Sequence, residues 1–199
     1  LPFELCAITV DMGFEGSDFS GVREFCRRID VTYEVVKTEI AKIIFDVRKE
    51  SNPCSLCAKM RRGSLHAAAQ ELGCNKVALG HHYDDAIETF MMNLFFEGRL
   101  GCFSPTSYLS NRKLTLIRPL IYAQEKDVLY FTRKRKLPIA KNPCPEDHAT
   151  EREKMKNLLA ELEKNNKALR HRIFNAICKG EIDGFHPAGR FPDAGKLEE

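Results

Sequence analysis

The amino-acid sequence predicts an α/β fold in which a parallel sheet is covered by helices on both faces. Two observations support this class. Short apolar, β-branched runs alternate with helical patterns along the chain, and the strongest helical pattern follows directly after one of these runs. Such alternation is typical of parallel strands joined by helical crossovers. With 199 residues, the chain is long enough for one main domain and a small appendage.

The individual elements follow from hydrophobic periodicity and from the residues that end each pattern. The clearest helix is 84–97, which Gly98 ends. Its apolar residues Ile87, Phe90 and Leu94 repeat at helical spacing. In chain order, we expect strands at 5–11, 32–37, 76–80 and 114–117, helices at 21–29, 53–73, 84–97 and 125–136, and either helix or irregular structure at 40–47.

We expect a main domain at 1–145 and a helical C-terminal tail at 146–199. The composition shifts to Pro, Asn, Asp and Lys over 138–148, which is typical of a loop, and one or two charged helices follow within 150–178. The last stretch, 183–199, is rich in Gly and Pro and poor in apolar residues. This composition predicts a flexible end.

Composition argues against a membrane protein. No apolar run approaches the ~18 residues that span a bilayer, and no secretory signal precedes the first strand. We therefore expect a cytoplasmic protein whose eight cysteines are free or metal-bound. The net charge is only +3, but basic residues cluster at 59–62 and 133–136. These clusters are either nucleic-acid contacts or ordinary solvated helix faces.

Cysteine spacing points to a thiol-based site. Cys54 and Cys57 form a C-x-x-C pair at a predicted helix start, where the helix dipole is expected to lower the thiol pKa and so favour metal binding. Cys144 stands between two prolines, which restrict its backbone. The pair fits a redox site, half of a zinc site completed by Cys144 and His148, an iron–sulfur site, or two packed thiols.

A second candidate site lies where the strand 76–80 gives way to the helix 84–97. Gly80 allows close approach of a phosphate, and the helix start favours anions. Asp84 and Asp85 would repel a bare phosphate, so a nucleotide bound with Mg²⁺ satisfies both features. The structural alternative is that Asp85 and Glu88 form a capping box and that His81 is an ordinary polar neighbour.

Arg61 follows Cys57 by one helical turn, so the two side chains are expected on the same helix face. A cation beside thiolates and a nucleotide phosphate has an electrostatic use. The alternative is a solvated basic turn.

Several motifs occur in a fixed order along the chain: Pro53-Cys54-Ser55-Leu56-Cys57, Arg61-Arg62-Gly63, Ala78-Leu79-Gly80-His81-His82-Tyr83-Asp84-Asp85, Ile117-Arg118-Pro119-Leu120 and Glu125-Lys126-Asp127.

This ordered set resembles the tRNA 2-thiocytidine synthetase family (TtcA-like proteins) of the N-type ATP pyrophosphatases, within the PP-loop superfamily. The resemblance covers roughly residues 3–165. It implies a Rossmann-like (adenine nucleotide alpha hydrolase-like) parallel sheet that binds ATP and Mg²⁺. It also implies adenylation of the C2 oxygen of a tRNA cytidine, followed by sulfur transfer through a [4Fe–4S] cluster.

The resemblance also assigns roles by position. It implies that three cysteines hold the cluster and that Arg61 and Asp85 are catalytic. It also implies that ATP contacts the backbone of the first strand and the turn that contains Gly80 and His81. The partners that the resemblance implies for the chain are tRNA and a sulfur donor, which is either a cysteine desulfurase or free sulfide. A second copy of the chain is a further candidate partner. The implied cluster ligands are Cys54, Cys57 and Cys144, and the implied nucleotide contacts are Val10, Gly80, His81 and Asp84.

One departure from the family pattern concerns the phosphate loop. The Ser-Gly-Gly-x-Asp-Ser loop, which lies between the first strand and the first helix in the family, does not occur in this sequence. The expectation is that the N-terminal strand and the PP-loop are missing by truncation, and that the chain as it stands binds ATP poorly. Two alternatives remain: a zinc-stabilised nucleic-acid-binding module without ATP chemistry, and a related tRNA 2-thiouridine sulfurtransferase.

Overall fold

A computed structural model describes residues 3–147 and 150–187 of the chain. Helices and strands alternate over most of this range, as the sequence predicts. In chain order the elements are β1 (Cys6–Asp11), α1 (Ser20–Arg28), β2 (Thr32–Lys37), α2 (Ile40–Lys42) with a π-helical turn (Ile43–Val47), α3 (Pro53–Glu71), β3 (Lys76–Ala78), α4 (Tyr83–Phe96), β4 (Thr106–Leu109), β5 (Leu114–Ile117), α5 (Glu125–Lys134), α6 (Glu151–Glu163), α7 (Leu169–Lys179) and a 3₁₀ turn (Ile182–Gly184).

The strands form two groups. β1 and β2 are parallel, with a register that pairs Cys6 with Thr32 and Asp11 with Lys37. The other three strands are hydrogen-bonded in the order β3-β5-β4. β4 and β5 are joined by the turn 110–113. The α/β class with parallel strands flanked by helices is confirmed, but β4 was not expected from the sequence.

Contacts divide the chain into two compact units, each built from several segments. Unit 1 contains 1–77, 109–115 and 129–150, and unit 2 contains 78–108, 116–128 and 151–199. The predicted separation of a tail at residue 146 stays a prediction.

Unit 2 has the larger hydrophobic core, where α4, α6 and α7 pack together. Within it, the Tyr83 and Phe174 rings lie 4.3 Å apart, and Phe174 also meets Phe185 edge to face. Burial of these large apolar side chains stabilises the start of α4, because Tyr83 is the first residue of that helix. The core residues are Tyr83, Ala86, Ile87, Phe90, Ile121, Met155, Leu159, Phe174, Ile177, Cys178 and Phe185.

In unit 1, α3 packs against β1 and β2, and α1 packs against β2. Ile40 and Ile44 are buried, although the sequence left 40–47 ambiguous. The reason is visible in the geometry, since α2 is a single turn that continues into a π-helical turn rather than a regular helix. Short elements of this kind carry no helical periodicity in the sequence.

The beginning of the predicted flexible end is ordered in the structure. Ile182–Gly184 forms a 3₁₀ turn, and Phe185 is fully buried in the core of unit 2. The rest of that end, 188–199, lies outside the described residues. Within 3–147 and 150–187, every helix is too short or too polar to cross a bilayer.

Candidate functional site

Cys54 and Cys57 lie in the first turns of α3, which begins at Pro53. Proline suits this position, because its ring presets the helical backbone and it lacks an N–H group that would otherwise need a partner. Asn52, at the N-cap, makes no side-chain capping bond. The first backbone N–H groups of α3 therefore have no side-chain cap from that residue, which favours negative charge near Cys54.

The end of β1 supplies the surface on which Cys57 rests. The Cys57 thiol donates to the Met12 sulfur at 3.5 Å. Gly13 follows with φ +83, and a Cβ there would lie 2.7 Å from the Thr38 carbonyl oxygen. Only glycine fits this turn, so the chain can reverse directly after Met12 and hold its side chain against α3.

Cys144 is held by a local turn. Its backbone N–H donates to Asn142 Oδ1 at 3.2 Å, and its carbonyl accepts from the Asp147 N–H at 3.0 Å. Cys144 is close enough to the pair to contribute to raising the pKa of both Cys54 and Cys57. Cys54, Cys57 and Cys144 are thus neighbours in unit 1, as the resemblance implies.

The expected lowering of the thiol pKa values is wrong. Burial raises the pKa of Cys54, with smaller contributions from Cys144 and Glu146. Burial also raises the pKa of Cys57, although Arg61 opposes that shift. Loss of hydration and repulsion between neighbouring thiolates outweigh the helix dipole here. The position of Arg61 one turn from Cys57 has the electrostatic effect that its spacing predicts.

The donor set has the chemistry of a metal–sulfur site, because three free thiols are electrostatic neighbours in unit 1 and Arg61 lies near Cys57. They are not drawn together into a preformed site: in the part of the chain that the structure describes, no three such side chains have metal-binding geometry. His148, the fourth ligand considered for zinc, lies outside the described residues. Among the other cysteines, Cys6 and Cys74 place their sulfurs 3.4 Å apart.

The second predicted group lies in unit 2, in the turn between β3 and α4. Gly80 is exposed, and a Cβ added there would meet only open space. The His81 ring packs on Phe103 with centroids 4.8 Å apart, and its Nδ1 accepts from the Arg118 guanidinium at 3.3 Å. Arg118 also lies over Phe103, at 4.8 Å from the ring centroid. The motif Ile117-Arg118-Pro119-Leu120 was noted in the sequence, but the contact of Arg118 with His81 was not foreseen.

Asp85 takes part in a capping box, with a different partner from the one considered. The His82 backbone N–H donates to Asp85 Oδ2 at 2.9 Å, and the Asp85 N–H donates to His82 Nδ1 at 3.4 Å. His82 is therefore the N-cap of α4 and Asp85 its third residue. The box proposed between Asp85 and Glu88 is wrong, because Glu88 turns toward arginines instead.

Asp84 and Glu88 are buried and meet two arginines that sequence reasoning missed. Asp84 Oδ2 accepts from the Glu125 N–H at 2.7 Å, and Asp84 Oδ1 accepts from Arg170 at 3.1 Å. Arg152 donates to Glu88 at 3.1 Å and lies 3.5 Å from Asp85 Oδ1. Burial raises the pKa of Glu88 despite these cations. No local sequence signal marks these pairs, since 86 residues separate Asp84 from Arg170.

Val10 lies in β1 of unit 1, where it pairs with Val36. The predicted residues therefore fall into two sets, one in each unit. Unit 1 holds the cysteines together with Arg61 and Val10, and unit 2 holds Gly80, His81, Asp84 and Asp85.

Comparison with known proteins identifies the family. The model of the ATP-binding family described as "PP-loop domain" matches residues 2–163. The chain is 39% identical over 178 residues to a tRNA-cytidine(32) 2-sulfurtransferase of Citrifermentans bemidjiense, covering 88% of the chain and 70% of that protein. This chain belongs to the PP-loop family, in the branch of tRNA 2-thiocytidine synthetases. The Geobacter sulfurreducens 2-sulfurtransferase is 38% identical over 178 residues, covering 88% of this PP-loop chain and 69% of the relative.

A solved structure also resembles this PP-loop protein. It is the U34-tRNA thiolase NcsA from Methanococcus maripaludis with its [4Fe-4S] cluster, at a TM-score of 0.70 and 28% identity. The match covers 87% of this chain, which spans 60% of the length of that thiolase. The expected family and the Rossmann-like fold class are confirmed. The missing PP-loop stays a prediction.

Proposed function

We propose that the chain acts in ATP-dependent thiolation of tRNA at a cytidine. The C2 oxygen of the cytidine attacks the α-phosphate of ATP and releases pyrophosphate. A sulfur atom at the sulfide level then takes the place of that oxygen, which leaves as AMP. The relatives named tRNA-cytidine(32) 2-sulfurtransferase support the substrate, and the PP-loop family supports ATP as the activating reagent.

The observation that carries the proposal is that three free thiols in unit 1 are near enough for Cys144 to raise the pKa of the other two. Cys54, Cys57 and Cys144 would hold a [4Fe–4S] cluster, as the cluster in the similar U34-tRNA thiolase suggests. When bound, the cluster would carry the sulfur that is transferred, since three protein thiolates leave one iron open. Arg61 places a positive charge near Cys57, where it would offset the negative charge of the reacting groups.

The residues of unit 2 would serve the nucleotide. Gly80 offers open backbone for close approach of a phosphate, and His81 presents a ring held by Arg118. Asp85 is partly exposed and would bind Mg²⁺ or assist the reaction if it released its contact with His82. Asp84 is the weakest candidate, because both of its oxygens already accept hydrogen bonds. Val10 would contribute its backbone to adenine recognition.

The similarity to a U34-tRNA thiolase makes a 2-thiouridine product the second candidate. We favour cytidine, because the cytidine-specific relatives share 39% identity with the chain while the uridine-specific structure shares 28%. A cysteine desulfurase or free sulfide would donate the sulfur, and the chain would act in the cytoplasm. A second copy of the chain is a further candidate partner.

Anaerobic reconstitution with iron and sulfide tests the cluster. We expect about four irons per chain and the broad absorption of an iron–sulfur centre. The variants Cys54→Ser, Cys57→Ser and Cys144→Ser should each lose most of the iron, whereas the control Cys26→Ser should keep it. One tightly held zinc per chain with no iron would instead favour the nucleic-acid-binding module.

Thionucleoside profiling tests the substrate. The chain would be expressed in cells that lack their own 2-thiocytidine synthetase, and digested tRNA would be examined by mass spectrometry. Appearance of 2-thiocytidine is the expected result. Appearance of 2-thiouridine alone would sink the cytidine assignment and leave thiolation intact.

A further inference from the structure

The C-terminal half of α5 presents aromatic rings and cations to solvent. We define the α5 surface by Tyr130, Phe131 and the basic run 133–136, all of which belong to unit 1. Tyr130 is 64% exposed and Phe131 is 53% exposed. Two large adjacent rings left in water lose the stabilisation that burial would give, so a partner that covers them would recover it.

The rings and the cations are arranged in pairs at helical spacing. The Lys134 ammonium lies 5.4 Å from the centroid of the Tyr130 ring, and the Arg135 guanidinium lies 5.7 Å from that of Phe131. The two members of each pair are four residues apart in sequence, which places them one above the other, while the two pairs project in different directions. Each ring is thus held in position while part of its surface stays open.

The positive charge of this surface is not neutralised by the part of the chain that the structure describes. Over residues 3–147 and 150–187, the salt bridges involve other cations, such as Arg27, Arg152 and Arg170, and none involves the run 133–136. Four consecutive cations of this kind attract an anionic partner strongly and in a salt-dependent manner.

The α5 surface lies close in sequence to Cys144, and the start of the segment between them is held in place. The Lys136 N–H donates to the Arg133 carbonyl, and Lys136 adopts φ 50, which ends the helix. Pro138 then approaches α1 so closely that a Cβ on Gly21 would lie 3.3 Å from its Cβ. The segment that leads to Cys144 therefore leaves α5 in a defined direction, within unit 1.

We propose that the α5 surface binds unpaired nucleotides of an RNA loop, with bases stacked on Tyr130 and Phe131 and phosphates held by the run 133–136. This inference rests on the proposed function, because it takes tRNA as the RNA. Aromatic rings beside arginine and lysine are the combination that recognises splayed-out bases together with their backbone. Position 32 lies in the anticodon loop in standard tRNA numbering, so the target is a loop of this kind.

A positively charged surface with exposed aromatic rings favours RNA over a protein partner. A protein interface of comparable strength would require acidic groups that match four cations as well as an apolar pocket for the rings. An RNA loop supplies both features in every nucleotide, since each carries one phosphate and one flat base.

Fluorescence anisotropy with a labelled anticodon stem-loop RNA tests this surface directly. The full chain should bind the stem-loop, and Tyr130→Ala and Phe131→Ala should each weaken binding about tenfold. Tyr130→Phe should bind like the unchanged chain, because stacking needs the ring and not the hydroxyl. The matched control is Tyr108→Ala, which removes an equally exposed ring in unit 2.

The charges are tested by the salt dependence of the same binding. In Lys134→Gln together with Lys136→Gln, the slope of log K against log salt should fall by about 0.7 for each phosphate that no longer meets a cation. Lys167→Gln together with Lys179→Gln, which alters exposed cations of unit 2, should leave the slope unchanged. Circular dichroism of each variant verifies that the fold is retained.

Several outcomes would overturn the inference. One is equal loss of binding in the α5 variants and the Tyr108→Ala control, and another is binding of a fully paired RNA duplex with the same affinity and the same dependence on Tyr130. Protein-only association that is lost in Tyr130→Ala, without RNA binding, would identify the surface as a protein interface instead. Thionucleoside profiling separates this inference from the proposed function. If RNA binding depends on Tyr130 but no 2-thiocytidine is formed, the proposed function is wrong and the RNA-binding surface is supported. If 2-thiocytidine is formed but RNA binding does not depend on Tyr130, the proposed function is supported and the RNA-binding surface is wrong.

Discussion

The cysteine group of unit 1 and the start of α4 in unit 2 differ in how fully their polar atoms are already engaged. Cys54, Cys57 and Cys144 are free, and within residues 3–147 and 150–187 the hydrogen bond that their thiols make is the weak one from Cys57 to Met12. Asp84 and Glu88, in contrast, are buried and bonded to arginines or backbone. An open group can take a ligand without breaking existing bonds, whereas a satisfied group is primarily structural until it exchanges partners.

The largest expected effect is a loss of stability when a cation is removed from the buried carboxylates at the start of α4. Arg170→Met should lower the free energy of unfolding by about 3 kcal/mol, because Asp84 would remain buried without its cation. Chemical denaturation measures this change. The matched control, Lys164→Met, removes an exposed pair with Glu161 and should cost less than about 1 kcal/mol. Equal effects of the two substitutions would contradict the contrast between the regions.

The second expected effect distinguishes a helix-capping role of Asp85 from a role of that residue in the reaction. Asp85→Asn should cost about 1 kcal/mol of stability, because it weakens the capping box with His82. If Asp85 also binds Mg²⁺, thiolation should fall far more than this loss of stability explains. The control Glu97→Gln, in an exposed pair with Arg99, should change neither quantity. Full thiolation by Asp85→Asn would restrict that residue to capping.

The third effect is a pH dependence that belongs to Glu88. Burial raises the pKa of its carboxyl above the ordinary 4.5, against the opposing effect of Arg152. The folded state then holds the proton more tightly than the unfolded state. Stability from this group is therefore present below pH 4.5 and is lost as the pH rises through the folded-state pKa.

Denaturation of the unchanged chain and Glu88→Gln at several pH values isolates that dependence. Asp85, Arg152 and Arg170 are the charged groups that influence Glu88. The stability of the unchanged chain relative to Glu88→Gln should fall as the pH increases above 4.5. A difference that grew with pH would show that the arginines outweigh burial.

The smallest expected effect is on the reactivity of Cys57, in the cysteine group of unit 1. Arg61 lowers the pKa of Cys57, although burial raises it overall. Arg61→Met should therefore shift the alkylation of Cys57 in the metal-free protein to higher pH, as followed by mass spectrometry of the labelled peptides. Cys54 is an internal reference, since Arg61 is not among the causes of its shift. Arg62→Met, whose side chain contacts the Ala58 carbonyl, is the matched control.

Local patterns predicted local structure well. The strands 32–37 and 114–117 have the predicted bounds, because alternation and flanking turn residues define them. β4 was missed because its sequence TSYL is half polar and has no clear apolar pattern, whereas the equally short β5 is the apolar run LTLI. Phe185 is buried although its neighbours read as a flexible end, because one large aromatic side chain can anchor a segment of unfavourable composition.

The candidate site was predictable only in part. Order and spacing of motifs grouped the three cysteines and placed Arg61 one turn from Cys57. Long-range partners such as Arg152 and Arg170 were not predictable, because their contacts depend on how α6 and α7 pack on α4. The direction of the thiol pKa shifts was also beyond the sequence, since it depends on burial in the folded chain.

The close approach of Cys6 and Cys74 affects how any preparation of this protein should be assessed. Their sulfurs lie 3.4 Å apart, so a peroxide can take two electrons from the pair and leave a disulfide and water. Such a sample would have two fewer reactive thiols than the eight free cysteines, with every candidate cluster ligand still reduced. Loss of thiols is therefore a poor measure of cluster-binding capacity, and peptide-level mapping of each cysteine is the better assay.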